Sequence, residues 1–198
     1  MRHLRLSFAF LLALSLIASG GVSAADNISA KLDWHVADAF IQAGTGLSQT
    51  GAVAQVSSGP FAAHRVRISG SGTFNTGSMK ATGGGALVHT DQAGQVQGFA
   101  NWTATGVQSA TLYPCGEPGL PDNFCGGIVA LNVHISGTSV TLGALEADGV
   151  LTIDCEINPP AAGGVEGIKL NVPAFPINFD TTIFSPGGLT VFVSRSHP

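Results

Sequence analysis

The chain alternates. In Arg65-Val66-Arg67-Ile68-Ser69-Gly70-Ser71-Gly72-Thr73-Phe74 every second residue is apolar or glycine, and the residues between them are Arg, Ser or Thr. Successive side chains of a strand point to opposite faces, so this pattern buries Val66, Ile68 and Phe74 and leaves both arginines in water. Asn75-Thr76-Gly77-Ser78 supplies turn residues, and Lys80 to Thr90 returns as a second strand with glycines at 83, 84 and 85. Asp91-Gln92-Ala93-Gly94 turns the chain again, and Gln97 to Tyr113 reads as a long third strand bent near Gly106. Short turns between alternating runs predict an antiparallel meander.

The same rule continues downstream. Gly127 to Ser136 carries Val129, Leu131, Val133 and Ile135 on one face, with Asn132 and His134 on the other. Val150 to Ile157 and Ile168 to Val172 alternate, separated by the loop Pro159 to Gly164. Phe175 to Phe179 alternates too, with prolines that place it at an edge or a corner. Leu189 to Val193 makes a last strand. Lys31 to Ile41 fits two periods: Leu32, Trp34 and Val36 alternate, while Leu32, Val36, Ala39 and Phe40 have helical spacing. We read it as a strand. About eight strands result, with no repeat or linker dividing them. An all-β single domain over residues 25–198 follows, an antiparallel β-barrel with a β-sandwich as the alternative. Glycines inside strands, at 70, 72 and 83 to 85, mark tight curvature or close backbone approach and favour the barrel.

The N-terminus has the order of an export signal. Arg2, His3 and Arg5 precede an apolar run from Phe8 to Ile17, and Val22-Ser23-Ala24-Ala25 supplies small residues for cleavage. Cleavage is expected after Ala24, with Ala25 as the alternative, making residues 1–24 the signal peptide. The apolar run is about half of the roughly 20 residues a membrane-spanning helix needs. Loss of Arg2 and Arg5 leaves 6 Lys and Arg against 12 Asp and Glu, a formal charge of −6. So few cations neutralise few phosphates, which argues against nucleic acid and anionic membrane surfaces as partners. Secretion, to the extracellular space or a periplasm, makes a disulfide expected among Cys115, Cys125 and Cys155. Cys115 with Cys125 is favoured, because the nine residues between them read as a loop that a bridge would staple. Alternation puts Cys155 on the buried face of Leu151, Ile153 and Ile157, although its pairing with either loop cysteine stays open.

Gly70 to Phe74, Gly83-Gly84-Gly85, His89-Thr90-Asp91 and Trp102-Thr103-Ala104-Thr105 together resemble a group of uncharacterised secreted bacterial proteins with repeated β-strands. Leu151 to Cys155, Pro159-Pro160 and Glu166-Gly167 are similar to the same group, so the resemblance runs from about Val66 onward. Strand number, size and glycine-marked hairpins also resemble the small barrels of the allene oxide cyclase and dirigent type. The shared motifs are glycine and turn signatures, which imply a backbone and assign no active site.

Chemistry-bearing residues are sparse. The histidines at 35, 64, 89, 134 and 197 lack metal-ligand spacing, so neither metal nor cofactor is expected. Asp154 and Glu156 share a strand face, as an acid/base pair would, but alternate against apolar residues and are expected to face water. No nucleophile elbow or phosphate-binding loop is present, and catalytic residues stay unassigned. Candidate ligand contacts are His89, Trp102 and His134. A pocket holding either histidine beside a buried carboxylate would favour a cofactor-free cyclase or isomerase. Trp102 shares its face with Ala100 and Ala104, the position of a core residue or of a ligand platform. The leading expectation is a non-enzymatic barrel binding a small apolar ligand or a cell-surface partner. A structural or self-assembling extracellular protein ranks second, and the enzyme third.

Overall fold

The computed structural model describes residues 30–161 and 164–195. The expected export signal, residues 1–24, and His197 lie outside the described residues. The elements in chain order are β1 (Lys31–Val36), α1 (Ala39–Thr45), β2 (Ala52–Gln55), β3 (Arg65–Asn75), β4 (Lys80–Thr90) and β5 (Val96–Cys115). They continue with β6 (Phe124–Ser139), β7 (Gly143–Cys155), β8 (Gly167–Asn171), β9 (Asn178–Phe179), β10 (Thr181–Ile183) and β11 (Thr190–Ser194). These eleven strands belong to one antiparallel sheet, so the described residues are all-β with one short helix.

Alternation governs the long strands as expected. In β3, Val66, Ile68 and Phe74 are buried while Arg65 and Arg67 are exposed, and in β6 Val129, Leu131, Val133 and Ile135 all face the core. Each large aliphatic side chain buried in this way contributes about 1.5 to 3 kcal/mol. The segment 31–41 is a strand as expected as far as Val36, and a short helix that the expected strand did not include begins at Ala39. Leu32, Trp34 and Val36 are buried in β1. Asp38 then caps α1, its Oδ1 accepting the Ile41 amide at 3.1 Å while Oδ2 accepts from His35 Nδ1 at 2.6 Å. Gly46, at φ 70°, closes the helix by donating to the Gln42 carbonyl.

β3, β4, β5, β6 and β7 form consecutive hairpins, and β8 follows β7. β1 lies between β3 and β11, and β11 also pairs with β6 through Phe192 and Val193. β2 pairs with β3 and β10, while β9 pairs with β8. The bend expected near Gly106 is a set of register shifts in β5, at 104–106, 107–109 and 112–115, each adding unpaired residues that curve the strand. Trp34 and Trp102 stack at 5.2 Å in the core, and Phe74 meets Phe192 edge-on at 5.5 Å near the β1 and β11 end. The expected disulfide joins Cys115 and Cys125, which face each other directly across β5 and β6. Cys155 is free and fully buried.

Candidate functional site

The end of the sheet away from Phe74 and Phe192 is hollow. A cavity of about 370 Å³ lies among the starts of β3, β5 and β7 and the ends of β4, β6 and β8. Val66, Leu87, Ile135, Ala147, Leu170 and Phe179 form apolar wall, with Phe61, Phe175 and Ile177 contributed by loops. Phe99 and Leu142 stand at the mouth, 59% and 63% exposed.

Its polar groups are few, and two of them touch. His64 Nδ1 lies 3.0 Å from His89 Nε2. His64 follows a tight turn in which Ala62 donates to the Gly59 carbonyl and His64 to that of Phe61, with Ala63 held at φ 65°. His89 sits beside Val66 on β3 and Gly98 on β5, immediately before a register shift in the β4–β5 pairing. Such irregularities re-aim side chains next to binding sites. Phe61 packs edge-on to His64 and Phe179 edge-on to His89, at 5.3 and 5.5 Å. Burial, reinforced by the neighbouring His64, pulls the His89 pKa down to about 4, against a weaker opposing pull from Asp91. His89 is therefore neutral at physiological pH. Gln97 also lines the cavity and donates through Nε2 to Asp91 Oδ2 at 3.0 Å.

Of the sequence candidates, His89 lines this cavity and the other two lie elsewhere. Trp102 is 2% exposed, stacked on Trp34, and donates to the Ser69 carbonyl at 3.3 Å in the packed core. His134 projects from the opposite face of β6, with 42% of its side chain open to solvent, and pairs with Asp148 at 2.9 Å. The pocket thus holds His89 without a carboxylate in its wall. His64 was legible only as one of several histidines, because its partner is 25 residues away in the chain. Among the described residues, no group of three or more His, Cys, Asp or Glu is arranged to hold a metal ion.

Asp154 and Glu156, expected to face water, are half-buried instead because the chain at 164–166 folds over them. Glu156 Oε1 accepts the Gly164 amide at 2.8 Å and Asp154 Oδ2 accepts that of Val165 at 3.3 Å. Burial and then the hydrogen bond and charge of Glu156 push the Asp154 pKa up to about 7. Glu166 completes the cluster, accepting from the Thr190 amide and hydroxyl at 2.6 and 2.8 Å and from the Glu156 amide at 2.8 Å. These contacts tie the β7–β8 connection to β11. A second cavity of about 310 Å³ lies beside them, walled by α1, Leu120, Phe124, Phe184 and β11 residues. Glu166 reaches its wall with both oxygens already bonded, whereas the first cavity offers ring nitrogens with hydrogen-bonding capacity to spare. No family model, curated protein or solved structure matches this chain.

Proposed function

We propose that this chain is a secreted β-barrel that binds a small apolar ligand in the cavity beside His64 and His89. The carrying observation is the cavity itself. Its volume of about 370 Å³ falls in the range of small-molecule sites, and an apolar wall with a few convergent polar groups is their usual composition. Barrel closure is supported by the pairing: β1 bonds β3, β3 to β6 follow in order, and β6 bonds β11, which returns to β1. A sandwich would leave free edges along that path. The filled Trp34, Phe74 and Phe192 end and the hollow His89 end then form the floor and mouth of one container. Work outside the cytoplasm is supported by the Cys115–Cys125 disulfide. Among the described residues no helix is long and apolar enough to cross a membrane.

The reading is tested by native mass spectrometry of the purified protein and by titration with an environment-sensitive apolar dye. Leu145→Trp places a bulky ring in the cavity from a half-buried position on β7. It should abolish dye binding while the far-UV spectrum stays unchanged. Unaltered binding by that variant excludes the cavity as the site.

Self-assembly is a second reading, favoured by Val96, Phe99, Val140 and Leu142, all exposed near the mouth. Sedimentation at rising concentration separates the two, since a monomer throughout leaves only the binding reading.

A further inference from the structure

Resting on the reading of this cavity as a binding site, we propose that its ligand is an apolar molecule bearing one uncharged hydroxyl, held by the His64–His89 pair. The two imidazoles meet through His64 Nδ1 and His89 Nε2 at 3.0 Å, so one nitrogen donates and the other accepts. Either tautomer leaves one donor and one acceptor at the remaining nitrogens, His64 Nε2 and His89 Nδ1. Neither has a hydrogen-bond partner among the described residues. A hydroxyl donates and accepts, so it matches whichever of these two nitrogens it meets, in either state. A carboxylate only accepts, and a quaternary ammonium does neither.

Charge points the same way. The cavity wall contains no Lys, Arg, Asp or Glu, so a charged head group would be desolvated without a counter-ion. Asp91 holds Gln97 of the wall and exerts its negative charge on His89, which repels an anion placed there. His89, the imidazole that would otherwise neutralise a carboxylate, is itself uncharged near neutral pH.

The experiment uses the full chain and four probes of one chain length: decanol, decanoate, decyltrimethylammonium and decane, titrated calorimetrically at about pH 8, where the carboxylate is fully ionised. Decanol should bind about tenfold more tightly than each of the other three, the worth of one hydrogen bond. His89→Phe should remove that preference and leave decane binding intact. In the wild-type protein, decanol should shift the ring-nitrogen resonances of both His64 and His89, a readout that needs no variant. Equal affinity for decanol and decane, tighter binding of either ion, or unmoved histidine resonances overturns the hydroxyl assignment while leaving the binding site standing. Failure of all four probes to bind overturns the binding site as well.

Discussion

At Gly72 there is no room for a methyl group. A β-carbon there would sit 2.6 Å from the Trp34 ring and would also meet the Thr82 carbonyl, and one at Gly70 would sit 2.9 Å from the Trp102 ring. The two glycines of β3 thus make the space in which the stacked tryptophans lie. Gly72→Ala should cost about 1 to 3 kcal/mol, the usual penalty for overpacking a filled core, and denaturant unfolding measures it. The alternation in the chain placed these glycines on the inner face; it did not reveal that indole rings fill the space above them, since β1 and β5 are remote in sequence. Cys155 illustrates the opposite case, where a local pattern was enough. Burial, with the charge of Glu166 adding to it, raises its thiol pKa, and Sγ lies 3.3 Å from the Thr190 carbonyl. A thiol so placed is neither exposed nor ionised. Cys155 should resist alkylation in the native protein and react stoichiometrically once the chain is unfolded without reductant, as counted by mass spectrometry.

Strands of five or more residues were legible and shorter ones were not. β3 to β7 each carry several alternating positions, enough for the period to show. β2 and β10 have four and three residues, too few to show a period, and of the run Phe175 to Phe179 expected as a strand only Asn178–Phe179 pairs, as β9. They exist because β2 bonds backbone that β3 leaves open, β10 bonds β2 in turn, and β9 bonds β8. α1 was missed for a related reason: it spans seven residues and buries only Ile41, so no helical period marks it. The β5–β6 hairpin is the element where covalent chemistry matters most. Its loop keeps internal order, with Gly116 donating to the Phe124 carbonyl and Phe124 to that of Pro121, both at 2.9 Å, so reduction leaves local structure to fall back on. Replacing both Cys115 and Cys125 by Ser should lower stability by about 2 to 3 kcal/mol, the scale for a short loop. A denaturation midpoint lowered by reductant in the wild type and unmoved by it in the double variant checks this.

Among the groups whose pKa moves on folding, His89 and Asp154 pull the pH dependence of stability in opposite directions. His89 falls from 6.5 to about 4 on folding, so between those values the unfolded chain binds a proton that the native state refuses. Its contribution is present above about pH 6.5 and is lost as pH falls toward 4. Asp154 rises from 3.8 to about 7, so the native state keeps a proton that the unfolded chain releases. That contribution is present below about pH 4 and is lost as pH rises toward 7. Asp154→Asn, which cannot ionise, should match the wild type near pH 4 and exceed it at pH 8. The gain should be about 1 to 2 kcal/mol after allowing for solvent screening of a half-exposed carboxyl. Melting temperatures of both proteins across that range give the comparison. An all-β chain, the long strands, the favoured disulfide and the buried Cys155 all follow from nearest neighbours along the chain, because strand faces and turn residues are local properties. The hollow end, the contact between His64 and His89, the burial of Asp154 beneath the segment at 164–166 and the separation of His134 from the cavity are different. Each depends on which strands become neighbours and how far β5 curves, and these follow from packing among residues distant in the chain.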